Sequence, residues 1–363
     1  MRILAIDIGT GTQDILLFDS TQEVENCPQL IMPSPTTVVA RRIEEATRQG
    51  RDVLLTGSLM GGGPSAWAVE RHLKAGHAVY ATPTAALTFN DDLAEVEKMG
   101  VRVVSEDEVP HERDWARIEM RDVYLDAIGQ ALEILGVPFQ IDAVAIAALD
   151  HGNSPPGYSD RLFRFDHLRR GVQSGDGLYA FAYLPSELPE YLTRLRAIAH
   201  AVGDAWPSLY VDTGVAAALG CLLDEKVARR RSHLLVNIGN MHTLAFVLER
   251  GKIGAFMEHH TGFLNGEKLT EFLERFVRGA LPHEEVFRDM GHGVLYADGA
   301  VLPARPFVAV TGPRRRMIAD SRLRPYFAAP YGDMMLAGCY GAVRAVARKF
   351  PHWREEIEAA LSR

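Results

Sequence analysis

Two segments far apart in the chain share one plan, and that plan restricts the fold more than any other feature. Ile3 to Asp19 reads as two apolar β-runs around the turn Gly9-Thr10-Gly11-Thr12. Leu234 to Val247 repeats the design around Gly239-Asn240-Met241-His242-Thr243. Apolar runs on both sides of a short glycine-containing turn predict a β-hairpin. Glycines let the backbone approach an anion and the Thr10 and Thr12 hydroxyls add donors, so the first turn reads as a phosphate cradle. Asp7 closes the first strand, where a carboxylate can hold a hydrated Mg²⁺ against phosphates. Two such hairpins imply a nucleotide clamp with two lobes.

Other segments fall in a telling order around these hairpins. Val211-Asp-Thr-Gly-Val-Ala-Ala-Ala-Leu-Gly220 precedes the second hairpin, Pro306-Phe-Val-Ala-Val-Thr-Gly-Pro313 follows it, and Met335-Leu-Ala-Gly-Cys-Tyr-Gly-Ala-Val343 comes last. In this order the chain resembles the superfamily of actin, sugar and acetate kinases and heat-shock chaperone ATPases (ASKHA). The resemblance implies an α/β chain of two ribonuclease-H-like lobes in the actin-like ATPase fold, closing over Mg²⁺ and ATP. The implied cofactor-binding residues are Gly9, Thr10, Gly11 and Thr12 in the first hairpin and Gly239, Asn240, His242 and Thr243 in the second. Gly312, Pro313 and Arg314 fall at the turn that carries adenosine. Asp7 and Asn237 fall at the metal positions; the chaperone-like pattern has an acidic residue where this chain has Asn237, which can orient a metal-bound water without neutralising the ion.

More narrowly, Leu149-Asp150-His151-Gly152, Asn240-Met241-His242-Thr243 and Thr311-Gly312-Pro313-Arg314 resemble a branch of that superfamily that carries the label pyruvate formate-lyase activating enzyme. A radical-forming activase needs three closely spaced cysteines for an iron–sulfur cluster, whereas Cys27, Cys221 and Cys339 are widely separated. That chemistry is therefore not expected.

Composition fits an enzyme with a large core: 363 residues, 47% hydrophobic and 24% charged, enough for two domains. A net charge of -8 provides no broad basic surface, so nucleic acid is not an expected partner. No run is long enough to cross a bilayer, and three scattered cysteines do not make a disulfide framework, so a cytoplasmic location is expected.

The domain reading places a first lobe at residues 1–222, with an α/β insertion at about 51–110 that shapes a substrate pocket, and a second lobe at residues 223–363. Within the first lobe, residues 36–43 read as a strand leading into a helix from Arg41 to Gln49, residues 113–135 as one helix, and Gly152 to Asp176 as a long polar loop that can act as a lid. The Gly61-Gly62-Gly63 turn suits either a backbone nest for a carboxylate or phosphate or a tight strand-to-helix connection.

A phosphotransferase needs a carboxylate to deprotonate the acceptor or orient water. Asp212 is the first candidate, by its resemblance to the base of the sugar kinases, with a helix N-cap as the alternative. Asp150, delivered with His151 after a buried strand, is the second; an Asx turn is its alternative. His151, His259, His260 and His292 all lie beside or near glycines and form a candidate transition-metal set with Asp150, though no pair has helical zinc-site spacing. The leading function is transfer of the ATP γ-phosphoryl group to a small-molecule acceptor. The competing one is an ATPase that activates or senses a protein partner.

Overall fold

The computed structural model describes residues 1–108 and 114–363 and contains three sheets. The chain opens with β1 (Arg2–Ile8) and β2 (Thr12–Asp19), paired antiparallel from Arg2 opposite Asp19 to Ile8 opposite Gln13, and β3 (Gln29–Pro33) pairs with β2. Every second residue of β1 faces the same way. Ile3 and Ala5 therefore join the core between the two large sheets, while Leu4, Ile6 and Ile8 join a second core on the outer face.

The smaller sheet comes next in the chain. It is built from α1 (Pro35–Arg48), β4 (Val53–Gly57), α2 (Pro64–Lys74), β5 (Val79–Ala81), α3 (Pro83–Ala86), α4 (Leu93–Lys98), β6 (Val101–Val103) and β7 (Ala116–Met120). Its four strands run parallel in the order β6-β5-β4-β7. Two expectations fail here. The segment read as a strand at 36–43 is the start of α1: Ser34 caps it by accepting from the Thr37 N–H, Pro35 sits in the first turn, and Val39, Ala40, Ile43 and Ala46 are buried at helical spacing. The helix expected from residue 113 is instead β7, whose Ile118 and Met120 alternate with exposed Arg117 and Glu119, followed by the shorter α5 (Leu125–Ile134). Residues 109–113, which include the end of the expected insertion and the start of that helix, lie outside the described residues.

The first large sheet is completed by β8 (Ala143–Ala148), α6 (Asp160–Gln173), β9 (Ala182–Tyr183), α7 (Thr193–Val202) and β10 (Ser208–Val211), giving the order β3-β2-β1-β8-β10-β9. The expected polar loop at 152–176 is therefore largely α6, which buries Arg164, Phe165, His167 and Leu168. Its scattered arginines disguise the helix because one of them is a core residue.

The second large sheet follows α8 (Thr213–Cys221) and α9 (Glu225–Ala228). It comprises β11 (Ser232–Ile238), β12 (His242–Glu249), β13 (Lys252–His260), α10 (Gly266–Val277), α11 (His283–Arg288), β14 (Gly293–Tyr296), β15 (Phe307–Thr311) and β16 (Tyr326–Phe327), and the chain ends with α12 (Ala337–Lys349) and α13 (Arg354–Leu361). The order β14-β13-β12-β11-β15-β16 repeats that of the first sheet: an antiparallel meander with a parallel strand beside its first member. This duplicated ribonuclease-H-like topology is the actin-like ATPase fold.

Two helices join the halves. α8 leaves the first sheet and packs on β11 and β15, and α12 leaves the second and packs on β1, β8 and β10. They cross at close range because small residues meet there: a Cβ on Gly220 or Gly341 would collide with the backbone of Ala337 or Ala216. The first turns of both helices consequently lie at the floor of the cleft between the sheets.

Candidate functional site

A cleft of about 880 Å³ lies between the lobes, lined by both hairpin turns, the Gly61–Gly63 turn, the loop after β8 and the first turns of α8 and α12. The two turns are built alike. Gly9 N–H donates to the Thr12 carbonyl at 3.0 Å, and Gly239 N–H donates to the His242 carbonyl at 2.9 Å. None of Gly9, Gly11 and Gly239 has positive φ, so their requirement for glycine is one of space. A Cβ on Gly11 would run into the side chain of Asn240, the tip of the opposite hairpin. The first turn is braced by α1: the Ser34 and Thr37 hydroxyls donate to the Thr10 carbonyl at 2.6 and 3.1 Å.

Beneath the first turn lies a pair of acids. Asp7 and Asp14 are directly opposite each other in the β1–β2 register. Burial pushes the Asp7 carboxyl up to about 7, with the Thr213 hydroxyl, which donates to its Oδ1 at 2.6 Å, opposing the rise and Asp212 adding to it. Burial and then the charge of Asp7 push Asp14 up to about 8. Asp14 Oδ1 is buried without a hydrogen-bond partner among the described residues. The other wall of this niche is Gly338, where any Cβ would overlap the Asp7 carboxylate. An oxygen-rich niche with two mutually repelling carboxyls and one orphan oxygen suits a hard divalent cation such as Mg²⁺.

Across the cleft, Asn237 occupies the position in β11 that Asp7 holds in β1. Its amide lies beside Gly312, whose φ of 95° and whose closeness to Asn237 Oδ1, 2.6 Å from an added Cβ, allow only glycine. Thr311 Oγ1 is buried nearby without a partner among the described residues. Pro313 lines the cleft, but Arg314 and Arg316 are exposed and Arg315 donates back to the Gly312 carbonyl at 3.3 Å. Thr243 is turned inward and shares a hydrogen bond with the Thr261 hydroxyl.

Asp212 and Asp150 are both buried and both engaged. Asp212 Oδ1 caps α8, accepting from the Gly214 and Val215 N–H groups at 2.9 and 3.3 Å, and its Oδ2 is paired with Arg164 at 3.0 Å. Asp150 accepts from the Gly152 and Leu195 N–H groups at 2.8 and 2.9 Å. Arg164 is the hub between lobes. It also donates to Glu258 of β13 at 2.9 Å and to the Asp150 carbonyl at 2.9 Å, and it is 1% exposed. Burial alone would raise the Glu258 carboxyl; Arg164, His292 and His242 instead hold it well below the usual range. A buried ion pair of this kind adds little net stability over an apolar core, but losing one member costs about 3–5 kcal/mol.

The match that decides the family covers most of the chain. Residues 60–317 match the model described as "Putative pyruvate format-lyase activating enzyme (DUF1786)". The chain belongs to that family. A comparison with curated proteins gives no match. Among solved structures, the chain is similar to the ethanolamine utilization protein EutJ from Carboxydothermus hydrogenoformans at 13% identity and a TM-score of 0.33, over 94% of this chain and 89% of that one. It is also similar to the xylulose kinase from Lactobacillus acidophilus at 10% identity and a TM-score of 0.29, over 99% and 92%. Overlaps this loose carry no argument about activity. The radical chemistry in the family description finds no cluster of thiols: Cys27, Cys221 and Cys339 are each buried and free, and Cys339 donates to the Asp14 carbonyl at 3.1 Å.

The sequence reading overlooked Asp14, Asp91, Arg164, Glu258 and Gly338. Asp14 and Glu258 had a visible signal, since each is an acid that borders the apolar run of its strand. Asp91 lines the cleft with its carboxyl pushed up to about 6 by burial and then by Asp160 and Asp150. Nothing local marks it. No helix among the described residues is long and apolar enough to cross a membrane.

Proposed function

We propose that this protein is an ATP-dependent phosphotransferase acting on a small acceptor. The observation that carries the reading is the register-matched pair of hairpins whose turns meet across one cleft, above the facing Asp7–Asp14 pair. In this reading Gly9 and Gly239 close the two turns, the backbone donors of Thr10 to Thr12 and of Asn240 hold the phosphates, and Asp7, with Asp14 beside it, holds Mg²⁺ through water. Asn237 orients a metal-bound water from the second lobe. Magnesium supplies charge neutralisation at the transferring phosphoryl group. The acceptor lies between the Gly61–Gly63 turn and the loop from Asp150 to Ser154, where His151 can contact it.

For the acceptor's proton, Asp212 is the carboxylate proposed from its place at the start of α8, paired with and oriented by Arg164. Asp91 is a second choice favoured by one observation: it faces the cleft with its carboxyl raised toward neutrality, as a general base requires. Either way the protein is expected to be cytoplasmic and to need no nucleic acid.

The test is calorimetry with Mg·ATP, followed by ATP turnover with and without a metabolite library. Gly11→Val, which drives the two turns apart, should weaken Mg·ATP binding more than tenfold, a loss above about 1.4 kcal/mol, in a folded protein. Unchanged affinity would remove the reading. Asp212→Asn and Asp91→Asn separate the bases: the true one should lose about 10² to 10⁴ in turnover with ATP affinity kept. ATP consumption that no acceptor accelerates would favour an ATPase acting on a protein partner.

A further inference from the structure

Four histidines meet on the second-lobe side of the cleft. His242 begins β12, His260 ends β13, His292 directly precedes β14, and His151 reaches across from the loop after β8. Ring nitrogens of His151, His242 and His292 all lie within 4.8 Å of one another. The His260 ring is centred 4.9 Å from that of His242 and 4.7 Å from that of His292.

The surrounding hydrogen bonds fix which nitrogens are free. His242 Nδ1 is 3.1 Å from Glu258 Oε1. A carboxylate only accepts, so Nδ1 carries the proton, and Nε2 is the nitrogen turned away from that bond. His260 Nδ1 donates in the same way to the Met290 carbonyl at 2.7 Å, again leaving Nε2 free. His292 is fully buried, and neither of its ring nitrogens has a hydrogen-bond partner among the described residues. An unsatisfied buried polar group costs on the order of 1–3 kcal/mol. The His151 ring completes the group, centred 5.2 Å from that of His242 and 5.8 Å from that of His292. Neutral imidazole is the ligating form. A ring nitrogen anchored to a carboxylate is also how metal-binding histidines are commonly oriented.

We propose that His151, His242 and His292 bind one divalent first-row transition ion of the zinc or cobalt type, bridging the two lobes. Three neutral imidazoles with an open fourth position match the donor set of catalytic zinc sites, and ligands at about 2.0–2.1 Å would draw the three rings together by small side-chain rotations. Glu258 and Asp212 outnumber Arg164 in charge behind the cluster, which favours a cation. This site is distinct from the oxygen-lined niche of Asp7 and Asp14, and the inference does not depend on nucleotide binding.

The full chain, stripped with a chelator and free of nucleotide, is titrated with Co²⁺ and then Zn²⁺. One Co²⁺ per chain should bind with the visible absorption of a four-coordinate site, and Zn²⁺ should displace it. His292→Ala and His151→Ala should each weaken binding at least about 100-fold, while His200→Ala, an exposed histidine on α7, should leave it intact. Far-ultraviolet circular dichroism checks folding, and His151→Ala, on a cleft-facing loop, carries the test if His292→Ala does not fold. Failure of the wild type to bind Co²⁺ or Zn²⁺ stoichiometrically, or affinity unchanged in folded His151→Ala, would overturn the proposal.

Discussion

The two hairpins have one backbone and opposite chemistry. Their pairing registers coincide residue for residue, and each turn closes on the same glycine-to-carbonyl hydrogen bond. Yet Asp7, Thr12 and Asp14 of the first correspond to Asn237, His242 and Leu244 of the second. The first hairpin sets two acids side by side, Asp14 buried and Asp7 half-buried, and leaves an Asp14 oxygen without a partner among the described residues. The second has no acid in those positions and instead leans its histidine on Glu258 of the neighbouring strand. Backbone duplication thus fixes where the two turns stand, and side-chain divergence decides what each half presents: carboxyl oxygens beneath one turn, imidazoles beside the other.

The largest effect should come from cutting the strut that links the halves. Arg164→Met leaves Asp212 and Glu258 facing each other without a cation, so the urea midpoint should fall by the equivalent of about 3–5 kcal/mol. A retained midpoint would mean that the lobes do not depend on this ion pair. A charge swap tests the asymmetry next. Asp7→Asn should cost on the order of 10² in Mg²⁺-dependent turnover, whereas Asn237→Asp should change it far less; equal losses would show that the halves share the metal equally.

A third test uses pH. Asp7 and Asp14 have folded-state values near 7 and 8, far above the unfolded reference of about 3.9. Their contribution to stability is fully present below about pH 4, where both states are protonated, and is lost as pH rises through 7 to 8. Without Mg²⁺ the melting temperature should therefore decline across that window, and Asp14→Asn or added Mg²⁺ should flatten the slope. An identical slope in Asp14→Asn would remove the acid pair as its cause. The smallest effect is expected from Arg314→Ala. Because that side chain is exposed, Mg·ATP affinity should change by no more than about twofold by calorimetry.

The parts of the fold legible in the sequence are those specified locally. The hairpins, the buried β8 and the small-residue helices α8 and α12 each advertise themselves by alternation, glycine placement or composition within a dozen residues. α1 was obscured by its run of threonine and valine, although Ser34 and Pro35 marked its start. β7 was obscured by arginine and glutamate at alternate positions, which resemble a polar helix face when the pairing partner is unknown. The reading of 152–176 as a loop failed for a different reason: Arg164 counts as a surface residue until its partners, Glu258 and Asp212, are known to meet it.

By itself the sequence determined two similar hairpins and their order relative to the connecting helices; the duplicated lobe topology was what the resemblance carried by those motifs implied. These follow from short-range rules, since periodicity and turn residues set local backbone geometry whatever lies far along the chain. Only the tertiary structure decided which charged groups share a space. The pairing of Asp7 with Gly338, of Arg164 with Glu258, and of His151 with His242 and His292 joins residues distant in sequence. Burial and Coulomb forces act on distances in space, and those distances exist only once the lobes have packed.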